Sequence, residues 1–352
     1  AGSNFSLIGN GESNTIDSSN SNIGSGRYNT ISCSSVSSTS GEYNNIINSS
    51  SSTISSGYCN TISNYSQYGF ISSGAGSIIS NCSNYSSIGG GQANTVSEYS
   101  SHSNIGGGFC NKLTDNSCYS NIDGGFLNSL TDNSISSSIN GGIQNTIVYS
   151  SNSNISGGQG NSLTDNSYGS NISGGGTNKI ECSTNSNISG GGGNTLIDSS
   201  NFSSINGGSG NTIESSVHSS INGGCNNLLT SSSRYSSING GCINKLTDNS
   251  CYSSINGGKT NTIIDNSCGS LISGGQTNKI IDSKWSSVNG GCCNTVSNTN
   301  VSYIGGGSSN KLTDSSYRST IVGGSNNLLT SSSRYSSIGG GFYNTLSQSN
   351  YT

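Results

Sequence analysis

The stretch SSINGGSGNTI at residues 203–213 decides the fold, because versions of it recur along the whole chain. Two of them are SNISGGGTNKI at residues 170–180 and SSINGGKTNTI at residues 253–263. We count positions from the first aliphatic residue of each copy, such as Ile205, and call that residue the anchor. A Gly then stands at position +3 in all 21 copies, which follow one another every 15 to 17 residues. A short segment repeated in this way predicts a stacked array.

Four other positions are nearly as constant. The anchor is Ile or Val in 20 of 21 copies, with Ser38 as the exception, and position +8 is aliphatic in all of them. Position +6 is Asn in 20 copies, where Ser77 departs, and position −2 is Ser in 19, where Val36 and Gly69 depart. Composition alone, with 28% hydrophobic and 7% charged residues, would predict disorder. The constant columns argue against disorder, because a disordered chain has no reason to keep them.

Each copy contains two short segments, S-x-I and N-x-[IL], in which alternate residues are constant. This period of two predicts two β-strands per copy. The Gly-Gly pair and a polar stretch such as T-D-N-S supply the two turns. Two short strands can bury their inner face only against further copies. We therefore predict an all-β fold, a parallel β-solenoid (β-roll or β-helix) of about 21 coils, as a single repeat array over residues 1–352 with no separate caps or globular domain.

Stacking would superimpose equivalent residues about 4.8 Å apart. We expect the Asn side-chain amides to bond from coil to coil, as they do in cross-β arrays. The Gly at +3 is expected to supply a positive φ or a close backbone approach. In three representative copies, the predicted structural ladder comprises Ile205, Gly208, Asn211, Ile213, Ile238, Gly241, Asn244, Leu246, Ile255, Gly258, Asn261 and Ile263.

Some of the 12 Cys residues share a column on adjacent coils. Cys225 and Cys242 both lie at +4, and Cys251 and Cys268 both lie at +13. Stacked Cα atoms are within reach of a disulfide, which would staple neighbouring coils or chains in an oxidising compartment. Alternatively, Cys simply replaces Ser at tolerant outward positions. The sequence leaves both interpretations open.

Asp recurs at position +10, and Asp248, Asp265 and Asp282 occupy it on consecutive coils. Stacked carboxylates repel one another, and a bound cation would relieve that repulsion. The alternative is that each Asp begins an Asx turn at the corner, in some copies balanced by a Lys at +7 such as Lys245. We favour the turn, and we predict neither a metal nor a cofactor.

The chain offers no combination of residues typical of an active site. Its two His residues, His102 and His218, are seven copies apart, and Ser has no His or Asp partner at a recurring offset. A net charge of −4 with four Arg provides no basic track for nucleic acid, and no apolar run is long enough to span a membrane. We therefore predict that the protein is not an enzyme, binds no nucleic acid and has no membrane span.

Three copies resemble a known motif: SIGGGQANTV at residues 87–96, NIGGGFCNKL at residues 104–113 and SIGGGFYNTL at residues 337–346. They are similar to the head repeats of YadA-type trimeric autotransporter adhesins and of related phage and viral fibre proteins. The resemblance covers essentially the whole chain, although the repeat here is longer. It implies a parallel β-roll, commonly a homotrimer, displayed on a surface and acting in adhesion or as a rigid spacer.

Two functions remain. The first is a structural fibre that self-associates end to end or as a homotrimer into a surface or extracellular filament. A core of only two aliphatic columns, and repeats that run from Ile8 to Leu346 without caps, favour self-association. The second is an adhesin-type module that contacts glycans or a host surface through outward aromatic and polar rows, including Tyr235 and Tyr335. We expect the first, located extracellularly or on a cell or virion surface.

Overall fold

The computed structural model of the protein describes residues 5–351. Over this range the chain forms strands and turns and contains no helix, so none is long and apolar enough to cross a membrane. The chain divides into two compact units, Ala1–Gly176 and Thr177–Thr352. The all-β class is therefore confirmed, while the extent of one continuous array over residues 1–352 stays a prediction.

The first unit contains two sets of short strands. The strands that carry the anchor column are Leu7–Ile8, Asn22–Arg27, Ser38–Glu42, Thr53–Ile54, Phe70–Ile71, Ser87–Ile88, Asn104–Ile105, Asn121–Ile122, Ser138–Ile139, Asn154–Ile155 and Asn171–Ile172. The strands that carry the +8 column are Thr15–Asp17, Thr30–Ser32, Asn45–Ile47, Thr61–Ser63, Ile78–Ile79, Thr95–Val96, Lys112–Leu113, Ser129–Thr131, Thr146–Val148 and Ser162–Thr164.

The second unit repeats this arrangement. Its +8 strands are Lys179–Glu181, Thr195–Ile197, Thr212–Glu214, Leu228–Leu229, Lys245–Leu246, Thr262–Ile264, Lys279–Ile281, Thr295–Ser297, Lys311–Leu312, Leu328–Thr330 and Thr345–Ser347. Its anchor strands are Asn187–Ile188, Ser204–Ile205, Ser220–Ile221, Ser237–Ile238, Ser254–Ile255, Leu271–Ile272, Ser287–Val288, Tyr303–Ile304, Thr320–Ile321 and Ser337–Ile338.

Strands pair in parallel with the equivalent strands of neighbouring coils. In the first unit Ile88 lies opposite Ile105, and in the second Ile205 lies opposite Ile221. The +8 strands do the same, as where Ile213 lies opposite Leu229. The predicted parallel β-solenoid with two strands per coil is confirmed.

The core of each unit consists of the two aliphatic columns. Ile88 and Val96 in the first unit, and Ile205 and Ile213 in the second, have no solvent-exposed surface. The residues beside them on each strand point outward and are partly exposed, as the period of two requires. Complete burial of such a side chain contributes roughly 1.5–3 kcal/mol, so each coil adds two such contributions.

The turns are hydrogen-bonded more extensively than the sequence indicates. Position +4, after the Gly-Gly pair, forms one further parallel bridge per coil, for example between Cys225 and Cys242. Positions +5 and −3 adopt positive φ even where the residue is bulky, as at Ile243 (57°) and Tyr252 (57°). Their N–H groups donate to the preceding coil, from Ile243 to the Cys225 carbonyl and from Tyr252 to the Arg234 carbonyl, both at 2.9 Å. Those bonds offset a backbone conformation that costs about 1–3 kcal/mol per residue.

In one copy the anchor is not the residue three positions before the constant Gly. The structure pairs Ile23 with Thr39, and the register shifts between this pair and the next one, Gly26 with Gly41. Thr39, not Ser38, is therefore the anchor of this coil, and Ser37 rather than Val36 occupies the buried −2 position. The copy thus keeps Ser at −2, has Thr in the anchor column, and has one residue fewer between its anchor and Gly41 than the other copies.

We expect Thr39→Val to stabilise the first unit. The Thr39 side chain is buried and its Oγ1 makes no hydrogen bond. A buried hydroxyl without a partner costs about 1–3 kcal/mol, and Val has nearly the same shape. The free energy of local opening, measured by amide hydrogen exchange at Ile23 and Ile54, should rise by about 1 kcal/mol. An unchanged or lower value would contradict the placement of Thr39 in the core.

Candidate functional site

The buried Asn column joins neighbouring coils through their backbones. Asn211 is completely buried, and its Oδ1 accepts a hydrogen bond from the N–H of Asn227 at 3.0 Å. Its Nδ2 donates to the carbonyl of Gly224 in the next coil at 3.1 Å and to that of Gly207 in its own coil at 3.0 Å. Asn211 therefore bonds from coil to coil through the backbone, whereas we expected amide to bond with amide. A bond of the expected kind occurs at the start of the column, where Asn29 Nδ2 donates to Asn14 Oδ1 at 3.1 Å.

Every member of the predicted ladder occupies its expected column. The Gly residues at +3 have φ values of 86° at Gly208, 81° at Gly241 and 83° at Gly258. Asn244 and Asn261 make the same three kinds of hydrogen bond as Asn211. The aliphatic members are all fully buried, and they are Ile205, Ile213, Ile238, Leu246, Ile255 and Ile263.

A ladder of amides that bond to one another does exist, on the surface at position +1 of the second unit. Asn206 donates from Nδ2 to Oδ1 of Asn222 at 2.7 Å, Asn222 to Asn239 at 2.7 Å, and Asn239 to Asn256 at 2.8 Å. Because these groups are exposed, water competes for the same bonds and their net contribution is small.

Two buried Ser columns line the opposite corner of each coil. At position −2, Ser253 donates to the carbonyl of Ser267 at 2.9 Å and accepts from the N–H of Ser270 at 3.0 Å. Three residues earlier, Ser250 accepts from the N–H of Ser267 at 3.1 Å. This second column was not among the predicted positions, although the sequence contains its signal in the spacing S-x-x-S-x-I, as at residues 250–255.

Aromatic side chains stack along the surface at position −3. In the first unit Tyr68, Tyr85, His102 and Tyr119 form a column with ring centroids 4.6, 4.9 and 4.8 Å apart. The rings are nearly parallel, with interplanar angles of 6°, 17° and 13°. His102 therefore lies between two Tyr rings and has no catalytic partner beside it in the column.

The second unit has a matching column. Phe202, His218, Tyr235 and Tyr252 stack with centroids 5.0, 4.9 and 5.1 Å apart. Stacking covers both faces of each inner ring, so an inner ring such as Tyr235 presents its edge to solvent. A sugar packs against the face of an aromatic ring, and these inner rings leave no face free. The columns thus stabilise the surface and are poor sites for the glycan contacts that we expected of Tyr235.

The Asp column forms turns. Asp248, Asp265 and Asp282 have φ values of 56°, 55° and 43°, a conformation that Asp tolerates better than most residues. Asp248 accepts a hydrogen bond from Thr247 Oγ1 at 2.6 Å and makes no ion pair with Lys245 within the described chain. Residues 5–351 contain no group of three or more His, Cys, Asp or Glu side chains placed to hold a metal ion. The cation interpretation of this column has no support in the geometry.

The two pairs of predicted Cys residues differ. Cys225 and Cys242 form a disulfide between adjacent coils, with their Cα atoms 4.7 Å apart. Cys251 and Cys268 are free, and their thiols donate to the carbonyls of Ser232 at 3.2 Å and Asn249 at 3.0 Å. The disulfide links two coils whose backbones already pair at these same two residues through a parallel β-bridge.

Cys292 and Cys293 are free thiols whose sulfurs lie 2.9 Å apart. The hydrogen bond between them raises the pKa of the Cys292 thiol above its usual value, with a further contribution from burial. A raised pKa keeps this thiol protonated and therefore less nucleophilic.

A surface cleft in the first unit lies where one coil is shorter than its neighbours. A 17-residue coil has two successive residues of positive φ after its +8 strand, such as Asp132 (54°) and Asn133 (58°). The 16-residue coil at 139–154 has only Tyr149 (49°) at that place. Beside this coil is a cleft of ≈280 Å³, which is lined by Asn133, Tyr149, Ser151, Asn166 and Tyr168. We call it the Tyr149 cleft.

A second cleft lies beside a 16-residue coil of the second unit. The coil at 288–303 also has 16 residues and a single positive φ after its +8 strand, at Asn298 (51°). The cleft beside it has a volume of ≈350 Å³ and is lined by Asn298, Thr299, Asn300, Ser315, Tyr317 and Arg334. Each of these two clefts therefore lies beside a 16-residue coil.

Comparison with protein-family models finds no match for this chain, and comparison with curated proteins finds no relative. The resemblance to YadA-type head repeats therefore stays a prediction. A functional proposal has to come from the geometry described above.

Proposed function

We propose that the protein is a structural fibre component, a rigid β-solenoid that self-associates, end to end or as a homotrimer, within an extracellular or surface filament. The observation that carries this proposal is the use of the buried polar side chains. The Asn at +6 and the Ser at −2, present in nearly all coils, bond to the backbone of a neighbouring coil, as Asn211 and Ser253 do. These recurring buried side chains thus connect neighbouring coils and stiffen the stack.

Self-association is supported by an apolar stripe on the surface of the first unit. Phe109, Phe126, Leu127 and Ile143 lie on consecutive coils at positions +4 and +5 and are 39%, 42%, 40% and 43% exposed. The two Phe rings stack with centroids 5.3 Å apart, so they present one continuous surface. Contiguous exposed apolar groups are uncommon on monomers and mark contact surfaces. We name these four residues the Phe stripe and propose a second copy of the chain as its partner.

The disulfide between Cys225 and Cys242 supports an extracellular location. Disulfides persist in oxidising compartments and on cell or virion surfaces, and they are rare in the reducing cytosol. The low fraction of charged residues, 7%, also suits a filament in which chains pack closely.

Sedimentation velocity across a range of protein concentrations tests this proposal. We expect the sedimentation coefficient to rise with concentration. Phe109→Ser/Phe126→Ser should raise the concentration for half-association about tenfold or more, because buried aromatic anchors dominate such contacts. Tyr168→Ser, which removes a similarly exposed aromatic outside the stripe, is the matched control and should leave association unchanged. A coefficient independent of concentration for the unaltered chain would refute self-association.

A further inference from the structure

We propose that the Tyr149 cleft is a binding site for a neutral pyranose, presented as a monosaccharide or as part of a glycan. The site goes beyond the structural role proposed above and does not depend on it. Its volume of ≈280 Å³ lies just below the range of about 300–1,000 Å³ that is typical of pockets for drug-sized ligands. It therefore suits a single sugar ring.

The two Tyr rings supply the apolar contact. Tyr149 and Tyr168 are 50% and 52% exposed, and neither stacks on another aromatic ring within residues 5–351. In this respect they differ from Tyr85, which lies between Tyr68 and His102 with both faces covered. A pyranose packs its C–H groups against an aromatic face, and the rings at this cleft have no aromatic neighbour that would cover theirs.

The polar lining supplies hydrogen bonds without charge. Asn133 Oδ1 accepts from Asn116 Nδ2 at 2.7 Å, which orients the amide and leaves its Nδ2 hydrogens for a ligand. The Asn166 side-chain amide and the two Tyr hydroxyls also line the cleft. Ser151 is committed to the framework, since its hydroxyl donates to the Asn133 carbonyl at 2.8 Å and accepts from the Ile135 N–H at 3.0 Å. No charged side chain lines the cleft, so its chemistry matches an uncharged hydroxyl-rich ligand.

The position of Tyr168 is a second, independent indication. It stands at −4 relative to its anchor, and among all the copies only Tyr168 and Tyr317 place Tyr at this position. Both belong to the coil that follows a 16-residue coil, and both line the cleft beside that shorter coil. At the second cleft, Arg318 lies over the Tyr317 ring at 5.2 Å and Arg334 adds charge to the lining. The proposal of a neutral ligand therefore applies to the Tyr149 cleft alone.

Saturation-transfer NMR with the full chain tests the proposal. The probes are D-glucose, D-galactose and N-acetyl-D-glucosamine, with the anionic sugar N-acetylneuraminic acid as comparison. We expect transfer to the ring protons of at least one neutral sugar, and we expect Tyr168→Ser to abolish it. Absence of transfer to all three neutral sugars, or transfer to the anionic sugar alone, would overturn the proposal.

A second variant separates loss of binding from loss of folding. Inserting one Asn between Tyr149 and Ser150 restores a 17-residue coil like its neighbours and keeps both Tyr rings. We expect this variant to fold with an unchanged circular dichroism spectrum and to lose sugar binding, because the inserted residue fills the cleft. Binding that persists in both this variant and Tyr168→Ser would overturn the assignment. Phe109→Ser/Phe126→Ser should still bind the sugar, so the failure of either proposal can be recognised without the other.

Discussion

Gly208→Val is expected to disrupt the coils on either side of it, with a loss of stability of more than about 3 kcal/mol. Gly208 has a φ of 86°, a conformation that β-branched residues avoid. A Cβ atom there would lie 2.1 Å from the carbonyl oxygen of Gly224 and 2.6 Å from Nδ2 of Asn211. The backbone of the next coil cannot move away without breaking the ladder. Thermal unfolding followed by circular dichroism measures the loss.

Gly323→Val is the matched control in the same unit. Gly323 occupies position +2, next to the constant Gly324, and a Cβ atom added there has no neighbour within 4 Å and no strained φ. We expect its melting temperature to stay close to that of the unaltered chain. If Gly208→Val and Gly323→Val melted together, the close backbone approach at +3 would be wrong.

Asn211→Leu is expected to have the second-largest effect, a loss of about 3–5 kcal/mol in local stability. Leu is similar in size, but it leaves the Asn227 N–H and the Gly207 carbonyl without the Asn211 side chain as a partner, while the Gly224 carbonyl keeps its bond from the Ser209 N–H. Each buried group left unsatisfied costs about 1–3 kcal/mol. Because solenoids unfold locally, the measurement is hydrogen exchange at the Asn227 amide, which should become much faster.

Two further variants test whether the effect depends on burial of the Asn column. Asn239→Leu removes a member of the exposed amide ladder at +1 and should change local stability by less than about 0.5 kcal/mol. Ser77→Asn restores the one missing member of the buried column, where the Ser77 hydroxyl is buried without a partner, and should add about 1 kcal/mol. Equal effects at Asn211 and Asn239 would contradict the division between interior and surface ladders.

The strands and the core could be predicted from the sequence because they depend on residue type at fixed spacing. Ile205 and Ile213 recur with the period that a strand imposes, and Gly208 marks a corner at which a side chain cannot fit. The Asn column was also predictable, although its bonding was not. Whether an amide bonds to another amide or to a carbonyl depends on the turn geometry, which the sequence does not specify.

Other features depend on context that a single copy does not contain. The anchor at Thr39 departs from the Gly-based count because one strand shifts register, and only its paired neighbours reveal that shift. The positive φ of Tyr252 is unexpected for a bulky residue and is stabilised by its hydrogen bond to the preceding coil. The Tyr149 cleft lies beside a coil one residue shorter than its neighbours, a difference that can be counted in the sequence but places no cleft until the coils are stacked.

The aromatic residues illustrate how stacking changes the interpretation of a surface. Exposed Tyr residues indicate contact sites when they are considered one at a time. Stacking in columns covers the ring faces of Tyr85 and Tyr235, whereas Tyr149 and Tyr168 line a cleft and stack on no other aromatic ring within residues 5–351. The sugar site that we propose therefore lies beside a shorter coil and outside the stacked columns.

The solenoid requires that equivalent residues of successive coils lie directly above one another. Disulfide mapping by mass spectrometry tests it in two variants in which the other Cys residues are replaced by Ser. One keeps Cys225 and Cys242, which lie on adjacent coils with Cα atoms 4.7 Å apart. The other combines Cys225 with Lys259→Cys and Cys242→Ser. Its two Cys residues lie two coils apart, with Cα atoms separated by about 9.6 Å. A disulfide cannot span Cα atoms more than about 7 Å apart. We predict an intrachain link in the first variant and none in the second, and a link in the second without one in the first would contradict the stacked register.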